Sequence, residues 1–252
     1  MNLGRAHFPP LPLLASIGGS MLRLQRRSLA RDAAALLADI KPAPRVEGVE
    51  HIPADGPLLI VANHYQRPGL WIGYAGALIA HAVWERRREE VRITVIDRVI
   101  VPLGARRVEL PGTRWIFRRI AVAWDMIPMA VAEGDRRGRG AALHRLLSSV
   151  APLPRGQGRV GVLFPEGHHG HSRRLSPALV GTGTLAALVC AGGVRLLPVG
   201  VFEDGATPVA HVGAPFTLAR ARGLPRDEAD HHAREAMMAR VAALLPPHLR
   251  GL

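Results

Sequence analysis

Short apolar runs alternate with stretches of helical periodicity along most of this chain, and that alternation limits what it can fold into. Leu58-Leu-Ile-Val-Ala62 reads as a strand, and residues 70–84 that follow it as a helix. Arg92-Ile-Thr-Val-Ile96 is the next strand, succeeded by helices over residues 113–123 and 141–150, the latter with Leu143, Leu146, Leu147 and Val150 on one face. Val160-Gly-Val-Leu-Phe164 is again apolar throughout. A helix over residues 182–191 leads into Leu196-Leu-Pro-Val-Gly-Val201, and a last helix runs from Asp227 to Leu245, closed by Pro246-Pro247. Strands without a polar face are buried on both sides, so the pattern predicts an α/β fold: a mostly parallel sheet flanked by helices.

Pro42-Ala-Pro44 separates this region from what precedes it, which divides the chain into an N-terminal segment, residues 1–43, and an α/β domain, residues 44–252. In the first segment Leu22, Leu29, Ala33, Leu36, Leu37 and Ile40 recur at helical spacing while Arg23, Arg26, Arg27 and Arg31 fill the positions between. The expectation is one basic amphipathic helix. Two placements are open: lying in a headgroup layer with its arginines on lipid phosphates, or packing on the domain. Phe8-Pro-Pro-Leu-Pro-Leu-Leu-Ala15 is read as part of the folded protein, since only Arg5 precedes it and no cleavage pattern follows. No run reaches the roughly 18 apolar residues of a spanning helix, which leaves peripheral attachment.

Thirty-three basic against 20 acidic residues give a net charge of +13, which calls for an anionic partner. Nucleic acid fits poorly. Aromatic residues make up only 4%, and no basic segment is interleaved with stacking rings. Arg86-Arg-Arg88 and Arg136-Arg-Gly-Arg139 read as a solvated helix end and a solvated loop. The single cysteine, Cys190, excludes an internal disulfide, sits in an apolar run as a small hydrophobe, and suits a reducing compartment.

In open parallel sheets, ligands bind beyond the carboxyl ends of the strands. Two segments stand there: Asn63-His64, directly after one strand, and Pro165-Glu166-Gly167, directly after another. An imidazole titrates near neutrality, so His64 can take a proton from an attacking hydroxyl. His168, His169 and His171 lack the spacing of a fixed metal face, and no metal is expected. Gly181-Thr-Gly183 lacks the three glycines of a dinucleotide loop.

Residues 46–64, ending Leu-Leu-Ile-Val-Ala-Asn-His64, resemble the opening of the bacterial phospholipid and glycerol acyltransferases, the lysophosphatidic acid acyltransferase-like family. Phe164-Pro-Glu-Gly167 is identical to that family's acceptor motif, Leu197-Pro198-Val199 resembles its proline motif, and Val212-Gly-Ala-Pro-Phe216 is similar too. The resemblance implies a catalytic His64, with Asn63, Phe164, Pro165, Glu166, Gly167 and His169 at the substrate. It implies transfer of an acyl group from acyl-CoA or acyl carrier protein to a lysolipid or polyol hydroxyl, with no bound cofactor. It also implies an anionic membrane surface as partner and peripheral attachment at the cytoplasmic face of the cell membrane.

Two departures qualify the likeness. The family's aspartate, five positions after the histidine, steadies the imidazole; here that position is Gly69, in His64-Tyr-Gln-Arg-Pro-Gly69. Loss of the corresponding carboxylate in serine-protease triads costs about 10⁴ in turnover. A substitute has to come from elsewhere, Asp97 and Asp125 being candidates. The family's Thr-Arg-Ser after the acceptor motif is His168-His169-Gly170 here, so His169 replaces a phosphate-gripping arginine, and Arg98, Arg106 and Arg107 are candidates for a second family arginine. An active acyltransferase and an inactive relative that binds lipid or acyl chains both fit these residues.

Overall fold

The computed structural model describes residues 8–104, 106–129, 136–150, 159–167, 174–219 and 223–251. A seven-stranded sheet forms its centre, and the α/β reading holds. Its strands are β1 (Arg45–Glu47), β2 (Leu58–Ala62), β3 (Val91–Ile96), β6 (Ile127–Met129), β7 (Val160–Leu163), β8 (Arg195–Asp204) and β9 (Thr207–Val212), in the order β1-β9-β8-β2-β7-β3-β6. All neighbours are parallel except β8 and β9, a hairpin turned at Gly205. A separate antiparallel hairpin joins β4 (Ile100–Leu103) to β5 (Arg106–Glu109).

The central strands are apolar throughout because helices cover both faces. All five residues of β2 and all four of β7 are buried. Successive side chains of a strand point to opposite faces. Ile60 and its neighbour Leu197 share a small void with Ile79, Ala82 and Val83 of α3 (Tyr74–Arg87), while Leu59 and Gly161 face Leu146 and Val150 of α5 (Arg136–Val150). Each fully buried Leu or Ile here contributes about 1.5–3 kcal/mol relative to exposure. α6 (Thr182–Ala191) and α7 (Arg226–Ala243) pack against each other and on β8.

The joint between α6 and α7 rests on one acid. Asp230 of α7 accepts from the backbone N–H groups of Gly181 (2.9 Å) and Thr184 (2.8 Å), satisfying amides at the start of α6 that no helical carbonyl reaches. Burial works to raise its carboxyl, but those two amides and then Arg234 outweigh it and hold Asp230 below the usual carboxylate range.

The N-terminal segment differs from expectation. Instead of one amphipathic helix it forms two, α1 (Leu11–Leu22) and α2 (Leu29–Ala38). Leu24 takes a left-handed φ of 54° in the link, and Ser28 caps the second helix by accepting from Arg31 N–H at 3.0 Å. Leu29, Ala33, Leu36, Leu37 and Ile40 are buried in the common core, so this part of the apolar stripe packs on the domain, whereas Leu22 is exposed. Arg27 is not free for a lipid phosphate. It pairs with Asp32 at 2.7 Å, a hydrogen bond that raises its pKa, and reaches Ser16 and Ser20 of α1.

Two further readings are revised. Arg87, expected in a solvated helix end, has a fully buried side chain that donates to Gly56 O at 2.9 Å and pairs with Glu89. The Arg136–Arg139 run begins α5 and is not a loop. Cys190, expected as a buried small hydrophobe, is half-buried; burial pushes its thiol up, and its Sγ accepts from Leu218 N–H at 3.3 Å.

Candidate active site

β2 and β7 are parallel neighbours with Val61 opposite Leu163, so the loops leaving their carboxyl ends start side by side at one rim of the sheet. There the two segments meet. Glu166, only 2% exposed, accepts from His64 N–H through Oε1 at 2.6 Å and from Ser176 N–H through Oε2 at 2.8 Å. One carboxylate therefore fastens three stretches of chain around the same point. The half-buried His64 ring lies 4.9 Å from the Phe164 ring, centroid to centroid, tilted by 55°.

Several expected substrate contacts have a positioning task in this geometry. The Asn63 amide donates to Val201 O at 2.8 Å and accepts from Val201 N–H at 2.7 Å, which ties the histidine loop to β8. Pro165 is buried, and its carbonyl accepts from Leu179 N–H at 2.9 Å. Gly167 is exposed at the turn and has a φ of +69°, which favours glycine, and a Cβ there would fall 1.9 Å from Leu179 Cδ1, so the Leu179 side chain would have to move. His169, with His168 and His171, lies outside the described residues.

The histidine loop has a second anchor that sequence reasoning missed. Arg67, three residues after His64 in what should be the His-to-Asp stretch, donates to Glu203 through Nε at 2.5 Å and Nη2 at 2.6 Å. Tyr65 adds its hydroxyl to the same carboxylate at 3.0 Å. The pair is buried, with 2% and 8% of the two side chains exposed, and hydrogen bonding to Glu203 raises the Arg67 pKa further. Burial first and the Glu203 charge second push the phenol of buried Tyr74 above its usual range, which keeps it protonated. The loop closes locally through Gln66 Nε2 donating to Leu70 O at 3.0 Å, and Gly69 between them has a φ of +80°. No signal in the sequence links Arg67 to Glu203, which stand 136 positions apart.

The two aspartates proposed as replacements stand elsewhere. Asp125 precedes β6, three strands from β2 or roughly 14 Å across the sheet, and is engaged by Arg92. Asp97 follows β3, two strands from β2 or roughly 10 Å, with Arg98 Nε 3.4 Å from its carboxylate. Glu203 sits on β8, the strand directly beside β2 on its other side. Of the candidate arginines, Arg98 also lies 3.6 Å from Glu109, and Arg106 is exposed in β5.

A mostly parallel sheet that brings an imidazole and a Pro-Glu-Gly turn together at one rim is the class of α/β protein this structure defines. The family comparison gives that class its name: a model of the Acyltransferase family matches residues 43–202, well over half of the chain and both loops of the site. The chain belongs to the Acyltransferase family, whose activity is acyl transfer. A comparison with curated proteins found no match.

Proposed function

We propose that this acyltransferase moves a fatty acyl group from a thioester donor, acyl-CoA or acyl carrier protein, to a hydroxyl of a lysolipid or glycerol-like acceptor at a membrane surface. The observation that carries the reading is the Glu166 bridge, which holds His64 beside the acceptor turn. In this mechanism the His64 imidazole takes the proton of the acceptor hydroxyl as its oxygen attacks the thioester carbonyl. The tetrahedral species collapses, the C–S bond breaks, and the imidazolium returns its proton to the leaving thiolate. The products are an ester and a free thiol. Exposed Leu179 and Val180, beside Gly167, give the rim an apolar lip on which an acyl chain can rest.

Glu203 supplies the fixity that an aspartate at position 69 provides in the pattern this chain resembles. It acts through Arg67 and Tyr65, not by touching the imidazole in that pattern's way, so the three are positioning residues. The left-handed backbone at Gly69 supports a rebuilt loop, since a side chain there costs about 1–2 kcal/mol.

Attachment at the cytoplasmic face of the cell membrane is supported by three adjoining elements that expose apolar side chains. These are α1 with Leu11 and Leu22, the β4–β5 hairpin with Leu103 and Leu110, and α4 (Thr113–Ala123) with Trp115 and Ile116. Arg119 of α4 donates to the carbonyls of Met21 and Leu22, which joins the first to the last. No helix among the described residues is long and apolar enough to cross a membrane.

The test is thiol release from acyl-CoA and acyl carrier protein thioesters by the purified chain, against a panel of lysolipids and polyols. Release that requires an acceptor hydroxyl supports the reading. The second reading, an inactive lipid-binding relative, rests on Gly69 and gains support if no donor–acceptor pair turns over while Gly69→Asp creates activity.

A further inference from the structure

A concave site that does not include His64 lies on another part of the sheet. An open cleft of about 450 Å³ runs beside the edge strand β6, within the size range of small-molecule sites. Its walls carry Arg26, Arg114, Arg118 and Arg145 together with apolar Val122 and Met126. Two aspartates also line it, but Asp125 is engaged by Arg92 and Asp97 stands beside Arg98. Arg114 pairs with Glu109, whereas among the described residues no carboxylate pairs with exposed Arg26 or Arg118. Positive charge is therefore in excess inside a cleft that also has an apolar wall.

Its position adds a second constraint. At about 100° per residue, Arg114 and Arg118 occupy one face of α4, and Val122 links that face to Trp115 and the exposed apolar stripe beyond it. A ligand seated on the arginines thus has its nonpolar part directed toward the surface proposed to meet the membrane. Guanidinium groups bind phosphate oxygens through paired N–H donors, and in a half-enclosed site such bonds outweigh those made on open surface.

We propose that this cleft binds the phosphate of an anionic glycerophospholipid, as a site separate from the acyl-transfer centre. The inference rests on the membrane-surface reading above and deepens it, by naming the lipid class that this surface selects. A lipid held here orients the sheet rim relative to the bilayer without entering the reaction.

The experiment is calorimetric titration of the whole chain with short-chain phosphatidylglycerol below its micelle concentration, with short-chain phosphatidylcholine and with coenzyme A. The expected result is saturable phosphatidylglycerol binding that Arg26→Ala with Arg118→Ala weakens about tenfold or more, as loss of one charge-assisted hydrogen bond implies. The pair Arg31→Ala with Arg86→Ala removes the same charge from exposed positions elsewhere and should leave the affinity unchanged. Equal losses in both pairs, equal binding of phosphatidylcholine, or arginine-dependent binding of coenzyme A in place of phosphatidylglycerol each overturn the assignment. Vesicle sedimentation of Leu11→Ser and Leu103→Ser keeps the two proposals apart: it reports on the apolar contact with the membrane whether or not the cleft binds lipid.

Discussion

Replacing Glu203 by Gln removes the charge that holds the histidine loop, and the geometry sets the size of the effect. The Arg67 and Glu203 side chains are 2% and 8% exposed and share two hydrogen bonds, with a third from Tyr65. Removing one member of a buried ion pair leaves the other charge desolvated, which costs about 3–5 kcal/mol. The adjacent residue provides the comparison. Asp204 pairs with Arg45 at 3.0 Å, but with 64% and 47% of those side chains exposed, and such pairs contribute only about 0–1 kcal/mol. Urea unfolding should therefore show a large fall in midpoint for Glu203→Gln and almost none for Asp204→Asn, at unchanged slope. Replacing both partners with apolar residues, Arg67→Met with Glu203→Leu, should recover much of the lost stability because no buried charge is stranded. Turnover should stay low in that double variant, since the loop has lost its directional anchor. Equal effects at positions 203 and 204 would refute the reasoning.

Glu166→Gln turns an amide NH₂ toward a backbone N–H, and one unmade buried hydrogen bond costs about 1–3 kcal/mol, readable as a lowered unfolding midpoint together with reduced kcat. Gly167→Ala meets both a left-handed φ and the Leu179 side chain, so it should destabilise by about 1–3 kcal/mol, whereas Leu179→Ala in the same background relieves the clash and returns part of that loss. Asp230 has its carboxyl lowered in the folded state, so its stabilisation is present above the unfolded pKa and disappears as pH falls through the lower folded value. Urea midpoints followed downward from about pH 5 should thus fall more steeply in the wild type than in Asp230→Asn, which lacks the titrating group.

The elements that sequence made legible are those whose burial leaves a periodic trace. β2 and β7 show as unbroken apolar runs because both faces are covered, and α4 and α6 emerge with the expected bounds. Elements held by tertiary context were hidden. β9 contains Pro208 and follows a tight turn, so it lacks the signature of a strand although its Val209 and Ala210 are fully buried. α5 starts with glycine and arginine, residues that read as loop, and the break between α1 and α2 depends on a left-handed leucine that no pattern announces. Within the site, His64 and Glu166 were legible because each directly follows an apolar strand and belongs to a motif shared with the family the chain resembles. The partners that fix them, Ser176, Val201 and Glu203, were not, because each is set by strand order and not by spacing.

The central claim is that the histidine loop and the Pro-Glu-Gly turn work as one unit, and coupling between them is measurable. kcat/KM for acyl transfer should be determined for His64→Ala, Glu166→Gln and the double variant. If the carboxylate acts by holding the imidazole in place, the double variant is no worse than His64→Ala alone. Losses that multiply, or transfer that proceeds undiminished without His64, would contradict the account.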